Sequence, residues 1–241
     1  MEATEKALRP KIKTFVEGFD ELLGGGVPMG HIVLVTGQPG TMKSSFTYNI
    51  LYHNALKNGM KGVYITLEQS RESLEEQMLG LGMDVESVED KVSILDMGLI
   101  RKNLTKLNSK GAWLDVFKMY AKNLKESMDF GILVLDSLEV LEIMAKFQDK
   151  RTEMFYFFDW LRELGATVFL ITETVPDSAD KFDEGFLADG IIGISLDKVG
   201  DKDVQRSIRI YKMRATKHYP GYMRLLHEEG RFFVTQKITA E

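Results

Sequence analysis

The sequence predicts an α/β domain in which a mostly parallel sheet is flanked by helices and continues into antiparallel C-terminal hairpins. Strand-like and helix-like segments alternate along most of the chain, which is typical of an α/β sheet. A glycine-rich stretch, "GQPGTMKSS" at 37–45, links a buried strand to a helix. After residue 190 the pattern changes to short strands broken by Gly, Asp and Pro, which predicts hairpins that close one edge of the sheet.

Each element follows from its own local pattern. The near-continuous β-branched run "HIVLVTG" at 31–37 is typical of a buried parallel strand. Over 44–57 apolar residues recur at helical spacing, and Asn58-Gly59 ends the helix. Further strands are predicted over 62–70, 92–96, 131–137 and 167–174, and further helices over 70–82, 111–128 and 155–164.

Composition limits the number of domains, the kinds of metal site and the kinds of partner that this chain can have. The chain has 241 residues, of which 44% are hydrophobic and 28% charged, enough for one large domain or two small ones. Without Cys there is neither a disulfide framework nor a thiolate metal site, so oxygen-bound Mg²⁺ is the metal we expect. A net charge of −5 gives no global attraction to nucleic acid, although a local basic patch could still bind it.

We expect a cytoplasmic protein that does not enter the membrane. No apolar run approaches the ~20 residues of a membrane-spanning helix. The start "MEATEKALRPK" lacks the hydrophobic region of a signal peptide.

The stretch at 37–45 matches a phosphate-binding loop except at one position. Gly37, Lys43 and Ser44 fit the pattern, whereas Met42 stands where the second glycine is expected. Such a loop offers backbone N–H donors, a helix N-terminus and a cation to a triphosphate. The alternative is a glycine-rich strand-to-helix turn that binds no ligand.

Met42 allows two backbone geometries. A positive φ at a non-glycine residue would cost about 1–2 kcal/mol. In the first turn of the helix Met would cost little, because it is a good helix former. We expect the second geometry, since Pro39-Gly40 can make the tight turn.

Two carboxylates follow predicted strands, at the sheet edge where α/β proteins bind ligands. Asp136 could support a Mg²⁺ ion bound by the Ser44 hydroxyl, or it could cap the next helix. Glu68 could orient or deprotonate the water that attacks a γ-phosphate, or it could be a solvated strand end.

Four segments together resemble the RecA-like ATPases, and among them the single-domain relatives of the clock protein KaiC. The segments are "GFDELLGGGVPMG" at 18–30, "GVYITLEQS" at 62–70, "ILVLDS" at 132–137 and "KMRATKH" at 212–218. With the loop, they extend the resemblance from about residue 18 to 233. The resemblance implies a RecA-like P-loop fold over 18–241, preceded by an N-terminal segment over 1–17.

The resemblance also implies roles for particular residues. ATP or ADP would be bound by the loop residues, and Mg²⁺ by Ser44 and Asp136, with Glu68 as the catalytic glutamate. Lys212 and Arg214 would reach the nucleotide of a neighbouring subunit in a hexameric ring, with Thr216 and His218 near its base or ribose. The alternative for 212–218 is a solvated basic edge strand. The implied loop residues are Gly40, Thr41, Met42, Lys43, Ser44 and Ser45.

Two departures from the family pattern affect the expected activity. Met42 replaces a glycine, and Gln69 stands where an acidic pair would have its second glutamate. A neutral Gln can orient water but cannot accept its proton, which predicts slow turnover.

Three functions remain open. They are an oligomeric Mg²⁺-dependent ATPase that couples nucleotide state to subunit arrangement, a nucleotide-dependent binding or signalling module with negligible hydrolysis, and a recombinase-like DNA-binding ATPase. We rank them in that order, because the third would need a basic, flexible loop between the fourth and fifth strands, and the segment at 145–153 is only mildly basic. The sequence identifies no further protein partner.

Overall fold

A nine-stranded sheet lies at the centre of the protein in the computed structural model, which describes residues 9–99, 113–173 and 183–236. The strands are β1 (Lys11–Ile12), β2 (Val27–Pro28), β3 (Ile32–Thr36), β4 (Gly62–Thr66), β5 (Val92–Asp96), β6 (Ile132–Asp136), β7 (Thr167–Thr172), β8 (Gly190–Val199), β9 (Asp203–Met213), β10 (Met223–Glu228) and β11 (Arg231–Gln236). The helices are α1 (Phe19–Leu22), α2 (Lys43–Asn58), α3 (Arg71–Gly80), α4 (Trp113–Met128), α5 (Leu138–Ala145) and α6 (Lys150–Glu163), with 3₁₀ turns at Val85–Val88 and Asp183–Phe186.

The sheet order confirms the predicted fold class. The strands lie in the order β11-β10-β9-β8-β3-β7-β6-β4-β5, while β1 and β2 form a separate antiparallel pair. The six strands from β8 to β5 pair in parallel, and β9, β10 and β11 extend the sheet in antiparallel fashion. Strands β3, β4, β6 and β7 are buried along their whole length, which explains their near-continuous apolar sequences.

Two hydrophobic cores lie on the two faces of the sheet. Helix α2 supplies much of one core and α6 much of the other. Ile12 and Val16 are buried in the α2 core, and the side-chain amides of Asn49 and Asn54 donate to the carbonyl oxygens of Thr14 and Lys13. Residues 11–17 therefore pack with the main body, and the division of the chain after residue 17 stays a prediction.

The connection between β6 and β7 differs from the sequence expectation. Two helices, α5 and α6, occupy it, and α6 begins at Lys150 rather than near residue 155. The Asp149 side chain accepts from the Thr152 amide at 3.3 Å, and Glu153 accepts from the amides of Gln148 and Asp149. This reciprocal capping starts the helix early. The segment at 145–153 is consequently a junction between helices.

Some sequence expectations reach beyond the described part of the chain. The helix predicted over 111–128 is described from Trp113, and the strand predicted over 167–174 ends at Thr172. No helix in the described ranges is long and apolar enough to cross a bilayer.

Because the six strands from β8 to β5 are parallel, their carboxyl ends lie along one side of the sheet and their amino ends along the other. We call these two sides the carboxyl edge and the amino edge. At the carboxyl edge, Thr36 pairs with Thr172 and Thr66 pairs with Asp136, so these four strand ends lie side by side. At the amino edge, Gly190 pairs with both Val33 and Met213. Met213 therefore lies about 10 Å along the strands from the level of Thr36, at about 3.3 Å per residue.

Candidate functional site

A cleft of about 290 Å³ opens at the carboxyl edge of the sheet, above the N-terminus of α2. Residues from the glycine-rich loop and from the ends of β4, β6 and β7 meet there, as expected for an α/β sheet. Its lining consists of Pro39, Gly40, Thr41, Met42, Lys43, Ser44, Ser45, Glu68, Gln77, Asp136, Ser137, Ile171 and Glu173.

The side chain of Lys43 folds back onto the beginning of the loop. Its Nζ atom donates to the carbonyl oxygens of Gly37 at 2.6 Å and Gln38 at 3.1 Å. Burial lowers the pKa of Lys43, and the charges of Glu173 and Asp136 oppose that shift. The ammonium group is thus placed at the helix N-terminus, where backbone N–H groups and the helix dipole also attract anions.

Met42 adopts the geometry that we did not expect. Its backbone is left-handed, with φ 71° and ψ 29°, so the expectation that it lies in the first turn of the helix is wrong. Its carbonyl oxygen accepts from the Phe46 amide at 2.9 Å, which makes Met42 the residue that caps α2. Gly40 is also left-handed, at φ 82°, so the turn at Pro39-Gly40 does not remove the need for a positive φ at Met42. The half-buried Met42 side chain packs against the α2 core.

Asp136 lies at the end of β6, beside the start of α2. Its Oδ2 atom accepts from the Tyr64 hydroxyl at 2.6 Å, and the Ser44 hydroxyl also hydrogen-bonds to it. Burial raises the pKa of Asp136, while the hydrogen bonds from Tyr64 and Ser44 oppose the rise. Sequence reasoning missed Tyr64, because a tyrosine inside a buried strand is usually interpreted as a residue of the hydrophobic core.

These residues fit a magnesium ion shared with a phosphate. Ser44 and Asp136 offer a hydroxyl and a carboxylate oxygen side by side, the donor types that Mg²⁺ prefers. In the described ranges no three His, Asp or Glu side chains converge into a complete metal cage. A Mg²⁺ ion here would therefore keep water and phosphate oxygens in most of its coordination positions.

Glu68 and Gln69 point to different neighbours although they are adjacent. Glu68 lines the cleft, and its Oε1 atom accepts a hydrogen bond from the Ser137 hydroxyl. The Gln69 amide instead donates to Ser73 and to Gln77 of α3, both at 3.0 Å. Gln77 in turn donates to the Ser45 hydroxyl at 3.2 Å. Gln69 is thus linked to the loop through Gln77.

Sequence reasoning missed two further acidic residues, Glu173 in the lining of the cleft and Glu139, which contacts the Glu173 backbone. Glu173 follows β7 and lines the cleft, and its backbone amide donates to Glu139 Oε1 at 2.7 Å. The same Glu139 oxygen accepts from the Thr172 hydroxyl, while Glu139 Oε2 is buried without a hydrogen-bond partner. Glu173 carries the same signal as Asp136, an acidic residue where a buried strand ends. The charges of Glu173, Asp136, Glu139 and Glu68 all act on Lys43.

The cations of the 212–218 segment lie away from the cleft. Lys212 Nζ donates to the carbonyl oxygens of Gly185 at 3.0 Å and Ala188 at 2.7 Å. Arg214 Nη1 forms an ion pair with Asp189 Oδ1 at 2.9 Å. Both residues are at the amino edge of the sheet, so the structure does not bring them to the loop of their own chain.

Thr216 and His218 follow on the same side. The Thr216 hydroxyl accepts from Lys11 Nζ at 2.6 Å and donates to the Leu23 carbonyl oxygen at 3.0 Å. His218 is half-buried. These contacts join the segment to the N-terminal part of the chain.

Comparisons with known proteins agree with this architecture. A family model described as "ATPase: KaiC" matches residues 12–229. A UPF0273 protein of Aeropyrum pernix is 31% identical over 221 residues, which are 86% of each chain. The circadian clock protein KaiC3 of Synechocystis is 28% identical over 220 residues, 88% of this chain but 42% of that protein. The crystal structure of a KaiC-like protein from Pyrococcus horikoshii is 29% identical, with a TM-score of 0.81 over 95% of this chain and 100% of that one.

The left-handed backbone at Met42 predicts an inverted order of stability between two variants. Met42→Gly and Met42→Ala both remove the Met packing, but Ala keeps the penalty of a positive φ. We expect Met42→Gly to be the more stable by about 1 kcal/mol. In the first turn of a helix Ala would instead be favoured by about 1 kcal/mol. Urea unfolding of both variants decides the order, and a more stable Met42→Ala would contradict the left-handed geometry.

Proposed function

Because the chain belongs to the KaiC ATPase family and has its RecA-like fold, we propose that it binds ATP with Mg²⁺ in the carboxyl-edge cleft and hydrolyses it slowly. We further propose that nucleotide state controls the arrangement of a cytoplasmic homohexameric ring. The observation that supports this most directly is the meeting of Lys43, Asp136 and Glu68 in one cleft at a helix N-terminus. Cation, metal ligand and base are the parts that phosphoryl transfer to water requires.

The loop and the oxygens of Ser44 and Asp136 would bind different parts of the nucleotide and its metal ion. The amides of residues 40–45 and the Lys43 ammonium would bind the phosphates, with the Ser45 hydroxyl close by. Ser44 and Asp136 would hold Mg²⁺, which when bound neutralises phosphate charge. Tyr64, which donates to Asp136, keeps that carboxylate oriented towards Ser44.

Glu68 is the residue of this chain that would act on water. Its carboxylate lines the cleft and is fixed through Oε1 by the Ser137 hydroxyl, which leaves the second oxygen for a water molecule. A carboxylate in this position can orient the water and take its proton.

The negative charge of the cleft supports the proposal that a second subunit contributes cations to the site. Four carboxylates act on one lysine there, so a nucleotide with its own negative charge needs further cations. Lys212 and Arg214 lie at the opposite edge of the sheet and would supply them to a neighbouring copy, with Thr216 and His218 near its base or ribose. An interface that joins one edge of each copy to the other edge of the next is head-to-tail and can close into a ring.

Gln69 favours one alternative, a nucleotide-dependent binding module with negligible hydrolysis. Its amide donates to Ser73 and Gln77 of α3, so Gln69 is not directed at the water that Glu68 would orient. The recombinase-like alternative stays a prediction, and the segment at 145–153, where it would need a basic, flexible loop, is a capped helix junction.

The proposed function first predicts how the nucleotide binds. MgATP should bind to the wild type, and Lys43→Ala should abolish binding because it removes the cation at the phosphates. Met42→Gly should keep the affinity within a few-fold, because glycine adopts the same left-handed backbone. Removing Mg²⁺ with EDTA should weaken binding, since the four carboxylates then face the phosphates unscreened. Isothermal calorimetry measures all four, and a wild type without heat or thermal stabilisation at millimolar MgATP would refute the proposal.

A second prediction separates binding from hydrolysis. Glu68→Gln keeps the shape of the side chain but removes the base, so turnover should fall by about 10²–10⁴-fold while MgATP still binds. Phosphate release measures the first quantity and calorimetry the second. If affinity falls as much as turnover, Glu68 has a structural role. If wild-type turnover is itself undetectable while MgATP binds, the binding-module alternative holds.

A third prediction tests action between subunits. Arg214→Ala should be nearly inactive, because fingers of this kind contribute roughly 10³–10⁵ in rate. Mixed with Glu68→Gln under subunit exchange, it should regain part of the wild-type ATPase activity, since some interfaces then combine an intact glutamate with an intact arginine. Native mass spectrometry confirms exchange and counts subunits. No recovery despite exchange, or a fully active monomer, would reject the arrangement.

A further inference from the structure

We infer that Asp189 is a positioning residue, which holds Arg214 in the orientation needed at the nucleotide of the neighbouring subunit. The inference rests on the proposed function, since it assumes that Arg214 acts between subunits. Asp189 itself touches neither the cleft nor, in our proposal, the nucleotide.

The geometry joins three strands at one carboxylate. Asp189 directly precedes β8, its Oδ2 atom accepts from the Ile32 amide at the start of β3, and its Oδ1 atom accepts from Arg214 Nη1 just after β9. Backbone hydrogen bonds fix the same residue on both sides, from Asp189 N to the Ile32 carbonyl oxygen and from Arg214 N to the Asp189 carbonyl oxygen. The carboxylate therefore cannot move independently of the sheet.

The two side chains of this ion pair differ in their exposure to solvent. The Asp189 side chain is 16% exposed, whereas that of Arg214 is 50% exposed, so the anchor is inside and the cation outside. Arg214 Nη2 also donates to the Phe186 carbonyl oxygen at 3.3 Å. A guanidinium has five N–H donors in a rigid fork, so the groups that remain can bind a phosphate in a fixed direction.

The negative charge of Asp189 also affects the pKa values of two neighbouring basic side chains, Lys212 and His31. Burial lowers the pKa of Lys212 and of His31, and the charge of Asp189 opposes the shift in both. Burial favours a raised pKa for Asp189 itself, but the Ile32 amide and Arg214 outweigh it and hold that pKa below its usual value. Asp189 thus stays ionised as the partner of Arg214.

A different role is open to the same contacts. Because Asp189 also binds the first residue of β3, it could instead support the phosphate loop of its own chain, which begins where β3 ends. The two roles place Asp189 on opposite sides of a subunit interface, the finger side or the loop side. Subunit mixing separates them.

The test is a mixing experiment with Asp189→Asn. The variant should lose about 10²-fold in kcat, the effect expected when a catalytic group is displaced by about 1 Å, and should bind MgATP within about twofold of wild type. Mixed with Glu68→Gln, Asp189→Asn should regain activity. Mixed with Arg214→Ala, it should regain none, because every interface then has a defective finger. The double variant Asp189→Asn with Arg214→Ala should be no less active than Arg214→Ala alone.

The contrary results are equally specific. Recovery with Arg214→Ala and none with Glu68→Gln would assign Asp189 to the loop side and overturn the inference, as would wild-type turnover in Asp189→Asn. If Glu68→Gln and Arg214→Ala already fail to complement each other, the proposed function fails, and the inference with it. If they do complement, a reversed pattern for Asp189→Asn rejects the inference alone.

Two further variants keep the test sound. Asp20→Asn is the matched control, because Asp20 is also a partly buried aspartate that accepts from a backbone amide, that of Thr14 at 2.8 Å. It should keep wild-type turnover. If Asp189→Asn does not fold, Asp189→Glu retains the charge and both acceptors but displaces the guanidinium. It should show the same mixing pattern with a smaller loss of kcat, and wild-type turnover in Asp189→Glu would overturn the inference.

Discussion

The parallel pairing of six strands is the constraint on which the rest of the structure depends. It brings the ends of β3, β4, β6 and β7 to one edge, so residues far apart in sequence line a single cleft there. It also leaves the starts of those strands at the other edge, where β8 and β9 bring Asp189 and Arg214 together. One pairing pattern therefore places two clusters of charged residues at opposite edges of the sheet.

The charged residues discussed for the two edges differ in their balance of sign. At the carboxyl edge the charges of four carboxylates act on Lys43. At the amino edge Arg214 forms an ion pair with Asp189, and the charge of Asp189 also acts on Lys212. A head-to-tail contact would bring excess negative charge to excess positive charge, which favours one relative orientation of two copies over others.

The phosphate loop combines a rigid scaffold with a strained residue. Met42 in a left-handed conformation costs on the order of 1–2 kcal/mol. Burial of its side chain against the α2 core offsets part of that cost. Strain of this kind persists where the surrounding structure fixes the backbone, and here β3, α2 and the bond from Thr41 to Gln38 do so. The loop thus has a left-handed residue at this position although that residue is not a glycine.

The sequence by itself determined the strands of the central sheet, most of the longer helices, the α/β class and the chemical types at the candidate site. Lys43, Ser44, Asp136 and Glu68 could be predicted as neighbours because each follows a local pattern, a strand end or a helix start, within a few residues. Their roles stay predictions. The early start of α6 was missed because the capping residues Asp149 and Glu153 precede its apolar repeat.

Only the tertiary structure decided the backbone of Met42, the orientation of Gln69 towards α3, and the parts taken by Tyr64, Glu173 and Asp189. It also placed Arg214 at the edge opposite its own loop. These features depend on which strands are neighbours and in which register. Strand order is set by long-range packing, and the spacing of residues along the chain does not encode it.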